Sequence, residues 1–445
     1  MRIPRIGFVP VAMPTLHSEV DTRLAECAFQ DLSGNGVEVI KTDFVFSREE
    51  ARATAKRLLN EDIDLVVYFI ATWIEAPVVI SAIRENGTPF VVWAVSDPHT
   101  LSFVGGHEVA ISLQEMGKEF KFIFGVPGDK TNLKQIVSRA KAANVFRILR
   151  KAKVGLIGYM TMGMYGETLD HTELFDKIGP EIIHVDTYRL VNEINKINDQ
   201  EVERSIEEAR SRVGKIDVPN EILTKSFRAY LGLQKIVEQF RFDAVAIKCH
   251  PEMSQIFGAT MCVGASFVTD SGIPVSCEAD INNAVTMLIL HLLTGNAPFF
   301  FEPITFDEKE NTAVVGHCGT AATTLAENIS EVTLKPQPTW SIEEGGVVTG
   351  TCVGFSVRPG KVTVARLNGR KGTYRMHVTR GDVIRHEAGA GKTEKGIEEW
   401  ASAILKIPDI KSFIKNSIAH HYVLAHGDVE SELEELCSLL GIPKI

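Results

Sequence analysis

Two apolar stretches of the chain end in groups able to do chemistry. "DAVAIKCHPEM" closes on Lys248, His250 and Glu252, and "IPVSCEAD" closes on Glu278 and Asp280. Both read as buried strands, and in open α/β sheets ligands gather outside the carboxyl ends of the strands. The chain between Glu252 and Glu278 is long enough for a helix and a strand to return it to the same sheet edge. Alternation along a strand also sets Glu278 and Asp280 on one side. Clustered carboxylates raise one another's pKa, so they persist around a cation or as an acid/base pair. A hard or borderline metal ion held by oxygen ligands plus a histidine is the chemistry proposed by this pattern. The competing role is helix capping, and Asp280 before "INNAVTM" is especially cap-like.

Candidate nitrogen ligands are His317, in "VVGHCGTAATT", and the group His420, His421 and His426 in "SIAHHYVLAHGD". A lone histidine is more often packed or solvated than bound to metal. Neighbours in an extended segment face opposite ways, so only one of His420 and His421 reaches a given ion. His426 and Asp428 stand where a helix is expected to begin, and capping suits them better. Cys249 and Cys277 flank the acids but read as inert core. The seven cysteines include no C-x-x-C pair, which argues against a disulfide framework or a structural zinc site. "HEAGAGKTEKG" contains a "GKT" but has His386 where a phosphate loop needs its first glycine, and it reads as a surface loop.

These residues need a scaffold, and 445 residues exceed one ordinary core. Through residue 150, "RIGFVPVA", "VEVIKTD", "DLVVYFIA", "PFVVWAV" and "KFIFGV" alternate with amphipathic stretches in a βαβ rhythm. This predicts a flavodoxin-like α/β domain over 1–150. A second parallel α/β domain is expected over 151–300, with strands at "KVGLIGYM", "EIIHVDTY", "FDAVAIKCH" and "IPVSCEAD". The helix "INNAVTMLILHLLTG" should stop at Gly295. Over 301–445, glycine turns divide short strands such as "KVTVARLNG" and "GTYRMHVTRGDVI", which predicts an antiparallel barrel-like domain. It should close on the helices "GIEEWASAILK" and "VESELEELCSLLG". The fold class is therefore α/β, two tandem doubly wound sheets followed by an antiparallel barrel-like domain.

Net charge is −10, from 47 basic and 57 acidic side chains, which disfavours nucleic acid as a partner. No stretch has the length of a membrane span, and the N-terminus reads as a strand in place of a leader, so a cytoplasmic location is expected. A small molecule is the expected ligand.

The C-terminal "AHHYVLAHGDVESELEELCSLLGIP" resembles the closing segment of the L-fucose and L-arabinose isomerase family. "IGYMTMGMYGETLD", "CEADINNAVTMLILHLLTG" and "RPGKVTVARL" resemble further segments of that family, so the likeness runs from about residue 150 to the end. The resemblance implies a manganese ion, or another divalent cation, held by His421, Glu252 and either Glu278 or Asp280. Arabinose isomerases use a second histidine where this chain has Asp307, and His317 is the candidate to substitute for it or to contact the sugar. The implied reaction interconverts an aldose and a ketose through an enediolate, with Glu252 and the free member of Glu278/Asp280 as base and acid. Lys248, Trp73 and Trp93 are candidate substrate contacts, and the resemblance implies a homotrimer or homohexamer. The expected substrate is an open-chain sugar resembling L-fucose, L-arabinose or D-arabinose. The alternatives are an anionic or sulfonated hexose, and a non-catalytic sugar-binding protein.

Overall fold

A computed structural model of the chain describes residues 2–160, 163–337, 350–370, 372–385 and 400–445. It divides into two compact units, Met1–Ile148 with Ser431–Gly441, and Leu149–Glu430 with Ile442–Ile445.

The first unit follows the expected βαβ rhythm through β1 (Arg5–Val11), α1 (Glu19–Leu32), β2 (Glu38–Lys41), α2 (Arg48–Leu59), β3 (Leu65–Ile70), α3 (Ala76–Asn86), β4 (Phe90–Ala94), α4 (Ser102–Glu115), β5 (Lys121–Phe124) and α5 (Lys130–Leu149). Every strand pairs in parallel, in the order β2-β1-β3-β4-β5. This is the flavodoxin-like doubly wound order. β3 and β4 are buried along their whole lengths, as strands covered on both faces must be. Ser47 opens α2 by accepting a hydrogen bond from the Glu50 amide, and glutamates fill the first turn.

The second unit begins with β6 (Lys153–Ile157), α6 (His171–Lys177), β7 (Glu181–Val185), α7 (Thr187–Asn195), α8 (Asp199–Arg210), β8 (Lys215–Ile216), α9 (Asn220–Phe240), β9 (Ala244–Ile247), α10 (Cys262–Asp270), β10 (Val275–Ser276) and α11 (Ile281–Thr294). Its parallel sheet has the order β10-β9-β6-β7. β9 and β10, the strands that lead to the acids, are therefore neighbours, and the Ala279 amide donates to the Ile247 carbonyl at 3.1 Å. α11 is largely apolar and buried from Ile281 to Leu290. It ends at Gly295, whose φ of +72° suits a residue without Cβ.

The remaining strands are β11 (Phe299–Asp307), β12 (Thr312–Gly316), β13 (Thr333–Pro336), β14 (Thr351–Gly354), β15 (Gly360–Arg370), β16 (Thr373–Ile384), β17 (Ser402–Lys406) and β18 (Tyr422–His426). Six of them form an antiparallel sheet, β11-β12-β17-β16-β15-β18, that closes because β18 pairs with both β15 and β11. β14 and β13 pair with β8 in a smaller sheet. One hydrophobic cluster joins α8, α9 and α10 to the closed sheet through Phe227, Phe267, Phe299, Phe301, Val364 and Leu424, so the two regions of this unit share a core.

The expected helix over "GIEEWASAILK" is corrected. Residues 402–406 form β17, hydrogen-bonded on one side to β12 and on the other to β16. Tertiary pairing overrides a sequence whose acidic start and apolar spacing favour a helix. "HEAGAGKTEKG" lies outside the described residues. Among the described residues, no helix is long and apolar enough to cross a membrane.

Phe301 is wholly buried where β11 meets the shared core. Phe301→Ala should destabilise the protein by about 3–5 kcal/mol, the usual range for truncating a buried phenylalanine. A shift in the midpoint of denaturant unfolding measures it, and a loss below ~1 kcal/mol would mean that the core does not run through this strand.

Candidate active site and metal centre

The chain leaves β10 through two consecutive non-glycine residues in the left-handed region, Glu278 at φ +58° and Ala279 at φ +57°. Such a conformation costs free energy and persists where surrounding contacts over-determine it. Its effect is to swing the Glu278 carboxylate towards His317, at the end of β12, and His421, just before β18.

Asp280 then opens α11. One carboxylate oxygen, Oδ1, accepts from the Asn283 amide at 2.9 Å, which makes it the N-cap. The other, Oδ2, lies 2.6 Å from Arg366 Nη1 and 3.1 Å from His421 Nδ1. Arg366 Nη2 reaches Glu167 Oε2 at 2.5 Å, and Glu167 Oε1 lies 3.1 Å from His420 Nδ1. All of these side chains except His420 are buried. An ionised Asp280 accepts the Nδ1–H of His421, so in the neutral imidazole the lone pair lies on Nε2.

That nitrogen faces the place where ligand atoms converge. His421 Nε2 is 3.2 Å from Glu278 Oε2 and is buried without a hydrogen-bond partner. His317 Nε2 is 3.8 Å from Glu278 Oε1. One ligand atom from each of Glu278, His317 and His421 falls within 4.8 Å of the others. A carboxylate oxygen with two imidazole nitrogens fits a borderline divalent ion, and the orphaned Nε2 is the atom such an ion would satisfy.

The acids and histidines of this group hold one another in their charged forms, a balance that a bound cation would replace. Burial pushes the Glu278 pKa up, but the imidazoles of His317 and His421 beside it outweigh burial and hold the carboxyl well below the usual range. Burial acts on Asp280 in the same way and is overcome by Arg366 and His421. His421 holds its proton more strongly than an ordinary histidine, since Asp280 and Glu278 prevail over burial.

The strand ends carrying Glu252 and Glu278 are adjacent, as the sequence implies, but Glu252 is not one of the three grouped ligands. Lys248 Nζ holds its Oε1 at 2.5 Å, while its Oε2 is buried with no hydrogen-bond partner. Asp307 is exposed and accepts from the Lys309 and Glu310 amides in the turn after β11, so His317 is the second histidine near the carboxylate. Trp93 is buried in the first unit's core, edge-on to Phe69, with its indole N–H donated to Gly125. Trp73 is half-buried in the loop after β3. His426 sits at the end of β18 with Nε2 2.9 Å from the Arg358 carbonyl, and Asp428 pairs with Arg380. A cavity of about 390 Å³ opens beside the strained loop, lined by Tyr159, Glu167, Asp170, His171 and Ala279 among others.

Sequence reasoning missed Arg366 and Glu167. Arg366 carried a readable signal, because it continues the alternating phase of Val362 and Val364 in β15, and a charge in an apolar phase requires a buried partner. Glu167 carried none. His420 was expected to turn away, but residues 418–420 bend, and its ring lies 3.8 Å from that of His421.

An α/β chain with a closed antiparallel sheet and a carboxylate–histidine cluster at adjoining strand ends is the class of protein defined by this fold and site. Residues 315–445 match the family model of the L-fucose isomerase C-terminal domain. The chain is 26% identical over 450 residues to the sulfoquinovose isomerase of Priestia megaterium, covering 99% of each. It is 24% identical to the sulfoquinovose isomerase of a Clostridium species, covering 98% of each. An L-arabinose isomerase from Levilactobacillus brevis is 20% identical across 76% of this chain and 72% of its own length. The chain is thus similar along its length to isomerases of the fucose/arabinose isomerase-like kind, with the family-model match confined to residues 315–445.

Removing Arg366 leaves Asp280 and Glu167 buried without their counter-charge. Arg366→Ala should cost about 3–5 kcal/mol of stability, the range for breaking one side of a buried ion pair. Calorimetric unfolding measures the loss. A near-neutral result would mean that water reaches these carboxylates.

Proposed function

We propose that the protein is an aldose–ketose isomerase, an intramolecular oxidoreductase that moves a proton between the first two carbons of an open-chain sugar. The observation that carries this reading is the buried, unpartnered His421 Nε2 beside Glu278 and His317. A sugar-binding protein without chemistry to perform has no reason to gather these groups.

Glu278, His317 and His421 would hold a divalent cation, manganese being the expected one. When bound, the cation would polarise the sugar carbonyl and offset the negative charge of the enediolate. Asp280 would hold His421 in the tautomer that keeps Nε2 available, as carboxylates behind ligating histidines commonly do. Glu252 is the proton acceptor in this reading: its Oε2 is free of protein partners, while Lys248 fixes Oε1. It would take the proton from one carbon and return it to the other. Asp280 has both oxygens engaged and is a positioning residue here.

For the substrate we favour a sulfonated hexose, because the full-length relatives are named sulfoquinovose isomerases. A neutral sugar of the fucose or arabinose kind is the second reading, favoured by the match of residues 315–445. The protein would act in the cytoplasm as a homotrimer or homohexamer.

Assays of sulfoquinovose, L-fucose, L-arabinose and D-arabinose with manganese and with chelator test the proposal. Turnover should be abolished by chelator and restored by manganese; turnover indifferent to chelator would refute the metal assignment. His421→Ala and Glu252→Gln should each lower kcat by at least about 100-fold, the lower range for losing a positioned acid–base or ligand group. Asp280→Asn should weaken manganese binding by roughly 10–100-fold, measured by equilibrium dialysis. Wild-type turnover by the Glu252 variant would remove it from the mechanism.

A further inference from the structure

The histidine shared by the proposed cation site has a second set of neighbours. Cys277 Sγ, Cys318 Sγ and a ring nitrogen of His317 all lie within 4.8 Å of one another, and all three residues are buried. They come from two separate turns. Cys277 precedes the strained Glu278–Ala279 pair, and Cys318 is itself left-handed at φ +41°, followed by Gly319 at φ +64°. A Cβ on Gly319 would fall 2.6 Å from Cys352 Cβ, so the second turn is packed against its surroundings and holds the Cys318 thiol in place. His317 Nδ1 is buried without a hydrogen-bond partner.

Two sulfurs and an imidazole are a softer donor set than the carboxylate and imidazoles next to them. Thiolates select zinc and its heavier relatives over manganese, which prefers oxygen. Zinc–sulfur bonds of about 2.3 Å and zinc–nitrogen bonds of about 2.0–2.1 Å set tetrahedral ligand atoms roughly 3.5 Å apart, a separation that groups already within 4.8 Å of one another can reach by small side-chain movements. Three protein ligands leave a fourth position for water. The flanking sulfurs Cys262 and Cys352 are spoken for: Cys262 lies against Gln337 and Thr260, and Cys352 packs with Trp400.

We propose that Cys277, His317 and Cys318 form a second cation site, specific for a thiophilic divalent ion such as Zn²⁺ or Cd²⁺, which draws His317 away from Glu278 and switches the isomerase off. On binding, the two thiols lose their protons to solvent and bond to the ion as thiolates; no electrons are transferred. The inhibitory half rests on the isomerase reading, whereas the binding half does not.

The test uses the full-length, manganese-loaded protein under reducing conditions, titrated with Cd²⁺ and followed by the ultraviolet thiolate-to-cadmium charge-transfer band and by equilibrium dialysis. One Cd²⁺ per chain should bind with the band. Cys277→Ser and Cys318→Ser should each weaken binding by more than about 100-fold, since losing a direct ligand exceeds the roughly 10–100-fold loss from an outer-shell change. Cys277→Ala serves if the serine variant does not fold. Cys27→Ser and Cys437→Ser should bind as the parent does. Turnover should stop at stoichiometric Cd²⁺, return with a dithiol chelator, and persist through the titration in Cys318→Ser. A band that survives in both ligand variants, or no band at all, overturns the proposal even where the sugar is turned over. A normal band with no turnover of any sugar leaves this site standing and sinks the isomerase reading instead.

Discussion

A single buried guanidinium sets the terms for the rest of the site. Arg366 is inaccessible to water and lies between Asp280 and Glu167, two carboxylates equally withdrawn from it. Moving one carboxylate into an apolar interior without compensation costs several kcal/mol, and two side by side would cost more by mutual repulsion. Arg366 between them offsets that charge, and Asp280 can then accept the His421 Nδ1–H. The orientation of His421, and the availability of its Nε2, therefore depends on a residue that touches neither Glu278 nor His317 through any described contact.

The same requirement accounts for architecture that would otherwise look wasteful. Asp280 caps α11 just beyond the parallel sheet, Arg366 lies in the closed antiparallel sheet, and His421 in the segment entering β18, which pairs with Arg366's own strand. α11 is buried all round because it lies where these regions meet, and its N-terminus presents Asp280. The shared hydrophobic cluster holds the two regions rigid against each other. Rigidity matters because a charge network stabilises only when all its members stay within hydrogen-bond reach. The left-handed pair Glu278–Ala279 is a local cost carried by this rigid frame, and it turns a carboxylate out of the strand line towards the two histidines.

Much of this was legible in the sequence, though not evenly. Continuous apolar runs marked the parallel strands, and acids at the ends of "DAVAIKCHPEM" and "IPVSCEAD" marked adjoining strand ends, since a buried strand leaves few places for a charge. Glycine-divided short strands marked the antiparallel region. What could not be read was conformation without periodicity. Strand alternation put Glu278 and Asp280 on one side, but β10 ends at Ser276, and the two acids are separated by a left-handed turn. An extended reading of His420 and His421 fails because residues 418–420 bend. "GIEEWASAILK" has a helical pattern, and only the partners β12 and β16 make its residues 402–406 a strand.

Asp280 shows why capping and chemistry should not be weighed as exclusive readings of a strand-terminal acid. A carboxylate has two oxygens, and here Oδ1 satisfies an orphan amide of α11 while Oδ2 serves Arg366 and His421. The cap fixes the carboxylate plane, which is what an orienting group behind a histidine needs. A residue chosen only to start the helix could be serine or asparagine at little cost. Neither would supply the negative charge that Arg366 and His421 both require, so the pairing of a cap with a buried arginine is the sharper sign of a site.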